Sequence, residues 1–248
     1  MVKKAPKNGE KGPKSDKKFS GRVRAGSNLL FSGPGRVRAT AKSPGPVRAG
    51  VDHRPLLVTV NWRTKTVTEM SLDGRTIGGF SHDELIEPIA VAVTPDDNIL
   101  IADNGVGAVL VFESSGKLKR RIGSKGKKAG QFKELGGVCL GPAGEVVVAD
   151  TRILVFSAAG EFLRELGGGK GGRYCGVQVA GDLVLAARME KGGGTVQVLS
   201  LATGELVTTI DSHGARLKRP TGLAVSREQG SVWVVDIGHD CVRKYRYK

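Results

Sequence analysis

The sequence predicts an all-β protein, a β-propeller in which four-stranded antiparallel blades surround a central axis. Glycine is very frequent, with 37 residues among 248, and no long amphipathic helical pattern is present. Frequent glycine without a three-residue period is typical of tight turns between short strands. Two series of strand-turn-strand patterns also recur along the chain, and recurrence at a fixed period indicates a repeat architecture.

The first series consists of four similar turns, "SLDGRTI" at 71–77, "ESSGKLK" at 113–119, "SAAGEFL" at 157–163 and "LATGELV" at 201–207. Their glycines, Gly74, Gly116, Gly160 and Gly204, are 42, 44 and 44 residues apart. Each turn lies between an apolar run and a run with alternating polar residues, which predicts a β-hairpin.

The second series precedes the first and occupies residues 90–103, 137–150, 176–188 and 222–236. Each member contains a short strand, a turn and a strongly apolar strand. Together the two series give units of four strands in about 40–47 residues. One such sheet leaves two apolar faces in water, whereas units packed around an axis bury both faces. The Trp-Asp and Gly-His marks of WD40 blades are absent.

The domain boundaries follow from these repeats. Residues 1–20 are predicted to be a disordered basic tail, and residues 21–248 the propeller. Five blades are recognisable, at approximately 44–87, 88–134, 135–173, 174–219 and 220–248. The last blade lacks a fourth strand, and we expect a strand from residues 21–43 to close it, where "GRVRA" occurs twice. Residues 19–43 could instead supply a divergent or truncated sixth blade, so five and six blades both stay open.

The net charge of +15 favours an anionic partner. Residues 1–24 contain nine Lys or Arg against Glu10 and Asp16, and the remainder is still strongly basic. Such surfaces attract polyanions, of which nucleic acid is the commonest. The alternative is that the charges only solubilise the surface.

The cysteines and the N-terminal sequence indicate the compartment. Cys139, Cys175 and Cys241 form no CxxC pair, which excludes a zinc finger or RING domain in this chain. An odd number of cysteines without a secretory leader favours a reducing, cytoplasmic environment. No apolar run is long enough to span a membrane, so we expect a soluble chain.

Residues 88–132, 135–167 and 220–247 each resemble the NHL repeat, and the resemblance extends more weakly over residues 44–248. The chain departs from that family in the second turn, where residues 104–107 and 151–152 replace the family's Asn-His-Arg. Only Gly238-His239-Asp240, followed by Arg243, comes near it. The terminal "CVRKYRYK" is similar to one branch of the TRIM-NHL (tripartite motif) proteins.

This resemblance implies a non-catalytic propeller. In TRIM-NHL proteins, the propeller follows RING, B-box and coiled-coil modules and binds either RNA or protein substrates for ubiquitination. The chain has no RING, so any ligase activity would belong to a longer parent or a partner. We therefore expect no enzyme activity and no cofactor.

The predicted RNA-binding rim lies where crossovers between blades and turns after the second strands emerge on one face. Lys and Arg there would neutralise phosphates, and exposed rings would stack on unpaired bases, which suits single-stranded RNA. The rim comprises Trp62, Arg63, Lys65, Lys125, Lys127, Lys128, Phe132, Lys133, Arg152, Lys170, Arg173, Tyr174, Lys191, His213, Arg216, Lys218, Arg219 and His239.

Several alternatives accompany this prediction. Phe132 and Tyr174 precede inner strands and could be core residues between blades. A protein-interaction scaffold would use an apolar patch, with Trp62 as its best anchor. A metal centre is disfavoured because the four histidines share no position in the repeat. Asp103, Asp150 and Asp236 do share one, at the end of the second strand, and their expected role is to accept backbone N–H bonds.

Overall fold

The structure is a computed structural model that describes residues 37–41, 56–168, 171–210 and 216–247. Within these residues, 21 strands form four four-stranded sheets, one three-stranded sheet and one two-stranded pair, and no helix is present. Each large sheet is antiparallel, and its strands are hydrogen-bonded in chain order. The protein is therefore an all-β propeller made of small antiparallel blades.

The blades follow one another along the chain. The first contains β1 (Val37–Ala41), β2 (Leu56–Asn61), β3 (Thr66–Ser71) and β4 (Thr76–Ser81). The second contains β5 (Pro88–Val93), β6 (Ile99–Asp103), β7 (Ala108–Phe112) and β8 (Leu118–Ile122), and the crossover after it holds the parallel pair β9 (Ser124–Lys125) and β10 (Gln131–Phe132). The third contains β11 (Gly137–Leu140), β12 (Val146–Ala149), β13 (Ile153–Phe156) and β14 (Phe162–Leu166). The fourth contains β15 (Gly172–Ala180), β16 (Leu183–Glu190), β17 (Gly193–Ser200) and β18 (Leu206–Ile210), and the fifth contains β19 (Pro220–Ser226), β20 (Ser231–Asp236) and β21 (Cys241–Arg246).

The hydrophobic core lies between the blades. Every residue of the second and third strands of the second and third blades, β6, β7, β12 and β13, is buried, because a neighbouring blade covers each face of the sheet. Alternate residues of a strand therefore join different clusters. In β7, Val109 and Val111 pack toward the third blade, whereas Leu110 and Phe112 pack toward the first.

The four glycine turns occur where the sequence predicts them. Gly74, Gly116, Gly160 and Gly204 each lie between the third and fourth strands of a blade, with φ of 88°, 87°, 95° and 77°. L-residues rarely adopt these values, whereas glycine adopts them freely, and this explains why the turn sequence recurs.

The first blade begins earlier than the sequence suggests. Its inner strand β1 starts at Val37, before the predicted boundary at residue 44, and pairs with β2. Part of the stretch that was expected to close the fifth blade therefore belongs to the first. Residues 21–36 and the basic tail at 1–20 lie outside the described residues.

The order of contacts between inner strands shows how the blades are arranged. β1 and β2 contact β5, β5 contacts β11, β11 contacts β15, and β15 contacts β19. Among the described strands, no comparable contact joins the fifth blade to the first, and the fifth blade has three strands.

Candidate nucleic-acid interface

Crossovers between blades and turns after second strands meet on one side of the propeller, which we call the loop face. Asp103 at the end of β6 accepts hydrogen bonds from the backbone N–H groups of Ile86 and Glu87, at 2.8 and 2.9 Å, in the preceding crossover. Asn104 Oδ1 accepts the N–H of Leu135 at 3.1 Å, in the crossover that follows. The loop face is thus a connected surface.

The three aspartates that end second strands organise this surface. Asp103, Asp150 and Asp236 have no exposed area, although they are charged residue types. Asp150 accepts the N–H groups of Lys133 and Glu134 at 3.1 and 2.6 Å. Each carboxylate therefore holds the crossover that enters its own blade, as well as the turn expected from the sequence. Buried carboxylates need such partners, because an unpaired one is costly.

The pKa values of two of these aspartates move in opposite directions. Burial raises the pKa of Asp150 and outweighs the hydrogen bonds from the backbone of Lys133 and Thr151. Burial also acts on Asp236, but the hydrogen bonds from the His239 side chain and from the backbone of Arg219, Lys218 and Gly238 outweigh it, so the pKa lies below its ordinary value. His239 Nδ1 lies 2.7 Å from Asp236 Oδ2 and donates to it.

Most of the predicted basic residues are exposed on the loop face. The second-to-third-blade crossover and the fourth-to-fifth-blade crossover supply the largest groups, and two second-strand turns supply the rest. The exposed residues are Arg63, Lys65, Lys125, Lys127, Lys128, Lys133, Lys191, Arg216, Lys218 and Arg219.

Two predicted RNA contacts are engaged within the protein. Arg152 donates from Nη2 to the carbonyl oxygens of Lys128 and Gln131 at 2.7 and 3.1 Å, and from Nη1 to Glu165 at 2.8 Å. Its side chain is only 19% exposed. Arg173 forms an ion pair with Glu134. Arg152 therefore fixes the lysine-rich crossover, and Arg173 presents a charge that is already partly neutralised.

The two aromatic rings proposed for base stacking are buried. Phe132 has no exposed area, and its ring lies 5.6 Å from that of Phe156 between the second and third blades. Tyr174 is equally buried, and its hydroxyl donates to Gln197 Oε1 at 2.6 Å. This burial corrects the expectation that the rings face the solvent on the rim, and it agrees with the alternative that they are core residues.

The remaining predicted residues differ in their surroundings. Trp62 is half-buried, and the Arg63 guanidinium lies 5.3 Å from the centre of its ring. His239 is bonded to Asp236 with 39% of its side chain exposed. Lys170 and His213 lie outside the described residues.

Sequence reasoning missed the role of Arg188. Arg188 lies near the end of β16 and pairs with Tyr174 of β15. At the equivalent position in the second and fifth blades, Asp103 pairs with Pro88 and Asp236 pairs with Pro220. Arg188 Nη1 donates to the Gly168 carbonyl at 2.8 Å and to the Tyr174 hydroxyl at 3.1 Å. A buried arginine thus occupies the position that an aspartate has in the second, third and fifth blades. The signal was visible, because the second-series segment of this blade ends in Arg instead of Asp.

The loop face is also less uniformly basic than the crossovers alone suggest. The first-to-second-blade crossover, "HDELIE" at 82–87, carries Asp83, Glu84 and Glu87. Glu84 forms an ion pair with Arg121. The positive surface is therefore concentrated on the second-to-third and fourth-to-fifth crossovers.

Within the part of the chain that the structure describes, no three His, Cys, Asp or Glu residues are grouped so that they could hold a metal ion. In the same residues, no helix is long and apolar enough to cross a membrane.

Comparison with known proteins supports the propeller. A family model described as a 6-bladed β-propeller matches residues 81–168, and no curated protein matches the chain. Among solved structures, Kuenenia stuttgartiensis hydrazine synthase is similar with 18% identity and a TM-score of 0.56, over 72% of this chain and 51% of that one. The structure of U3-55K is similar with 13% identity and a TM-score of 0.53, over 77% and 61%. The chain thus spans about half to three-fifths of these proteins, and at such identities the similarity concerns the fold alone.

Proposed function

We propose that the protein binds single-stranded RNA through the loop face, as a non-catalytic propeller of the NHL type found in TRIM-NHL post-transcriptional regulators. The observation that carries this proposal is the set of exposed lysines and arginines on two crossovers of that face. Lys125, Lys127, Lys128 and Lys133 lie on one, and Arg216, Lys218 and Arg219 on the other. Each phosphate that they neutralise releases condensed counterions, which favours binding.

The buried rings affect the kind of recognition that is expected. With Phe132 and Tyr174 in the core, the face offers few planar groups on which bases could stack. Affinity then comes chiefly from phosphate contacts, with a modest preference among base sequences. We expect the logarithm of the association constant to fall with the logarithm of salt concentration, by about 0.7 for each phosphate contacted.

The test is fluorescence anisotropy with a pool of short single-stranded RNAs over a salt series. A loop-face variant replaces Lys127, Lys128, Lys218 and Arg219 with Ala. A matched control replaces four basic residues that lie at or near the opposite end of the blades, Arg75, Lys117, Lys119 and Arg246. A tail variant replaces the seven lysines of residues 1–20 with Gln.

We expect the loop-face variant to lose both affinity and salt dependence, whereas the control, with the same change in charge, retains most of each. Equal losses in the loop-face variant and the control would mean that net charge alone attracts the RNA. Loss confined to the tail variant would assign binding to the lysine run and refute the proposal.

A second candidate function is a protein-interaction scaffold that recruits substrates for a TRIM-type ubiquitin ligase. It is favoured by exposed apolar side chains on the outer strands β14 and β18, where Leu163 is 46% exposed and Val207 58%. Leu163→Ser with Val207→Ser would weaken this function and leave RNA binding intact. Pull-downs after RNase treatment, with the loop-face variant in parallel, distinguish the two functions.

A further inference from the structure

Ser124 is an exposed serine at the start of the lysine-rich crossover between the second and third blades. Its Oγ accepts a hydrogen bond from Gln131 Nε2 at 3.3 Å, which is longer than the usual distance for such a bond. The residue before it, Gly123, has a φ of 70° and forms the turn between β8 and β9. Ser124 therefore presents a weakly held hydroxyl at the protein surface.

Basic side chains precede Ser124 on the outer strand β8, "LKRRI". Arg121 lies three residues before the serine with 50% of its side chain exposed, and Arg120 lies one residue further away and is also exposed. Among the described serines and threonines, only Ser124 and Thr66 follow an arginine by three residues. Thr66 is half-buried within β3, and its hydroxyl lies 2.7 Å from that of a neighbouring threonine. Of these two residues, only Ser124 combines exposure with the preceding arginine.

An arginine three residues before an exposed serine is a charge pattern that basophilic protein kinases recognise, because acidic side chains in their peptide-binding sites pair with the guanidinium group. We propose that Ser124 is phosphorylated by a kinase of this class and that the phosphate weakens RNA binding to the loop face. The serine Oγ attacks the γ-phosphorus of ATP, the bond to the β-phosphate oxygen breaks, ADP leaves, and the hydroxyl proton passes to the kinase. The effect on RNA rests on the proposed function, whereas the modification itself does not.

The phosphate would stand among the lysines that are proposed to contact RNA. Ser124 shares its crossover with Lys125, Lys127, Lys128 and Lys133. Gln131 joins the serine to this group, because its side chain donates to the Ser124 hydroxyl and accepts the N–H of Lys128 at 3.1 Å. A phosphoserine carries a charge of about −1.5 to −2 at pH 7 and three acceptor oxygens. It would therefore neutralise part of the lysine charge and compete with RNA phosphates for the same ammonium groups.

The ion pair between Arg121 and Glu84 controls how readily a kinase engages the arginine. Both side chains are partly exposed, so the pair is weak, but a kinase must break it before the guanidinium is available. The strand β8 has a neighbour on one side only, β7, so its end opens more easily than an inner strand. Removal of the Glu84 carboxylate should accordingly speed the modification.

The test treats the full chain with ATP and activated calcium/calmodulin-dependent protein kinase II, a basophilic enzyme, and locates the phosphate by peptide mapping. Arg121→Gln removes the recognised charge, and Arg120→Gln is the matched control with the same change on the same strand. Glu84→Gln releases Arg121, and Ser124→Ala removes the acceptor. Thermal melts establish that each variant is folded. The RNA assay compares the natural chain before and after treatment, so that no substitution enters this comparison.

We expect phosphate at Ser124 in the natural chain and in Arg120→Gln at similar rates, a rate at least tenfold lower in Arg121→Gln, and a higher rate in Glu84→Gln. Phosphorylation should weaken RNA binding about tenfold and lower the salt dependence by about 0.7 for each phosphate contact that is lost. Treated Ser124→Ala should bind as before.

Absence of phosphate at Ser124, or a rate that Arg121→Gln leaves unchanged, would overturn the proposed site. Unchanged RNA affinity in the fully phosphorylated chain would overturn its effect on binding. If the untreated chain failed to bind RNA, the proposed function would be refuted, and the peptide map would still decide the phosphorylation site separately.

Discussion

Replacement of Arg152 tests whether this residue organises the lysine-rich crossover or contacts RNA directly. Its guanidinium donates hydrogen bonds to the carbonyl oxygens of Lys128 and Gln131 at 2.7 and 3.1 Å. The Lys127 carbonyl oxygen lies 3.4 Å away, which is too long for a strong hydrogen bond. The ion pair with Glu165 is partly exposed, with that carboxylate side chain 47% accessible, and contributes little.

The magnitude follows from these contacts. Two hydrogen bonds from a charged donor contribute about 1.5 kcal/mol each at the lower end of the usual range, because the site is close to water. Arg152→Ala should therefore lower the free energy of unfolding by about 2–3 kcal/mol, or the melting temperature by roughly 4–12 °C in a domain of this size. Arg152→Lys keeps the charge but cannot span both carbonyls, so we expect about half of that loss or more.

Thermal melts of the natural protein and both variants measure this loss, and hydrogen exchange of residues 124–132 locates it. The RNA assay then provides the discriminating comparison. If Arg152 positions the crossover, Arg152→Lys loses nearly as much RNA affinity as Arg152→Ala. Retention of affinity in the lysine variant, with no change in melting temperature or exchange in either one, would refute the positioning role.

Three further predictions concern the core, the buried carboxylates and the thiols. Phe132→Ala should destabilise the protein by about 3–5 kcal/mol in urea unfolding, because it leaves a cavity between two blades; a cost below 1 kcal/mol would contradict the burial of this ring. The pKa of Asp236 is lowered in the folded protein, so its contribution to stability is complete above the ordinary pKa of 3.8 and is lost as the pH falls through the folded pKa. The pKa of Asp150 is raised in the folded protein, so its contribution to stability is lost as the pH rises through the folded pKa. Unfolding free energies from pH 3 to pH 7 should therefore show the stability difference between natural protein and Asp236→Asn growing with pH, and that for Asp150→Asn shrinking; slopes of the same sign would contradict this. Cys139 is buried with its pKa raised by burial, so a thiol reagent should modify the half-buried Cys241 first, as peptide mapping would show.

The sequence by itself determined the architecture. The period of the glycine turns and the strongly apolar second strands predicted four-stranded blades because both features are local: a left-handed turn needs glycine, and a strand covered on two faces needs apolar residues throughout. The shared aspartates were also visible, since their position in the repeat did not depend on which groups they bind.

Only the tertiary structure decided which rim residues face the solvent. Phe132 and Tyr174 look equally suited to stacking on a base or filling the space between blades, because a crossover sequence does not show on which side of the chain the next blade packs. The same holds for Arg152, whose charge suggested a phosphate contact until the carbonyl groups around it were known. The exposure of a side chain depends on residues that are far away in the chain. The positions of the charges along the sequence therefore predicted which loops form the loop face, but not which of their side chains face the solvent.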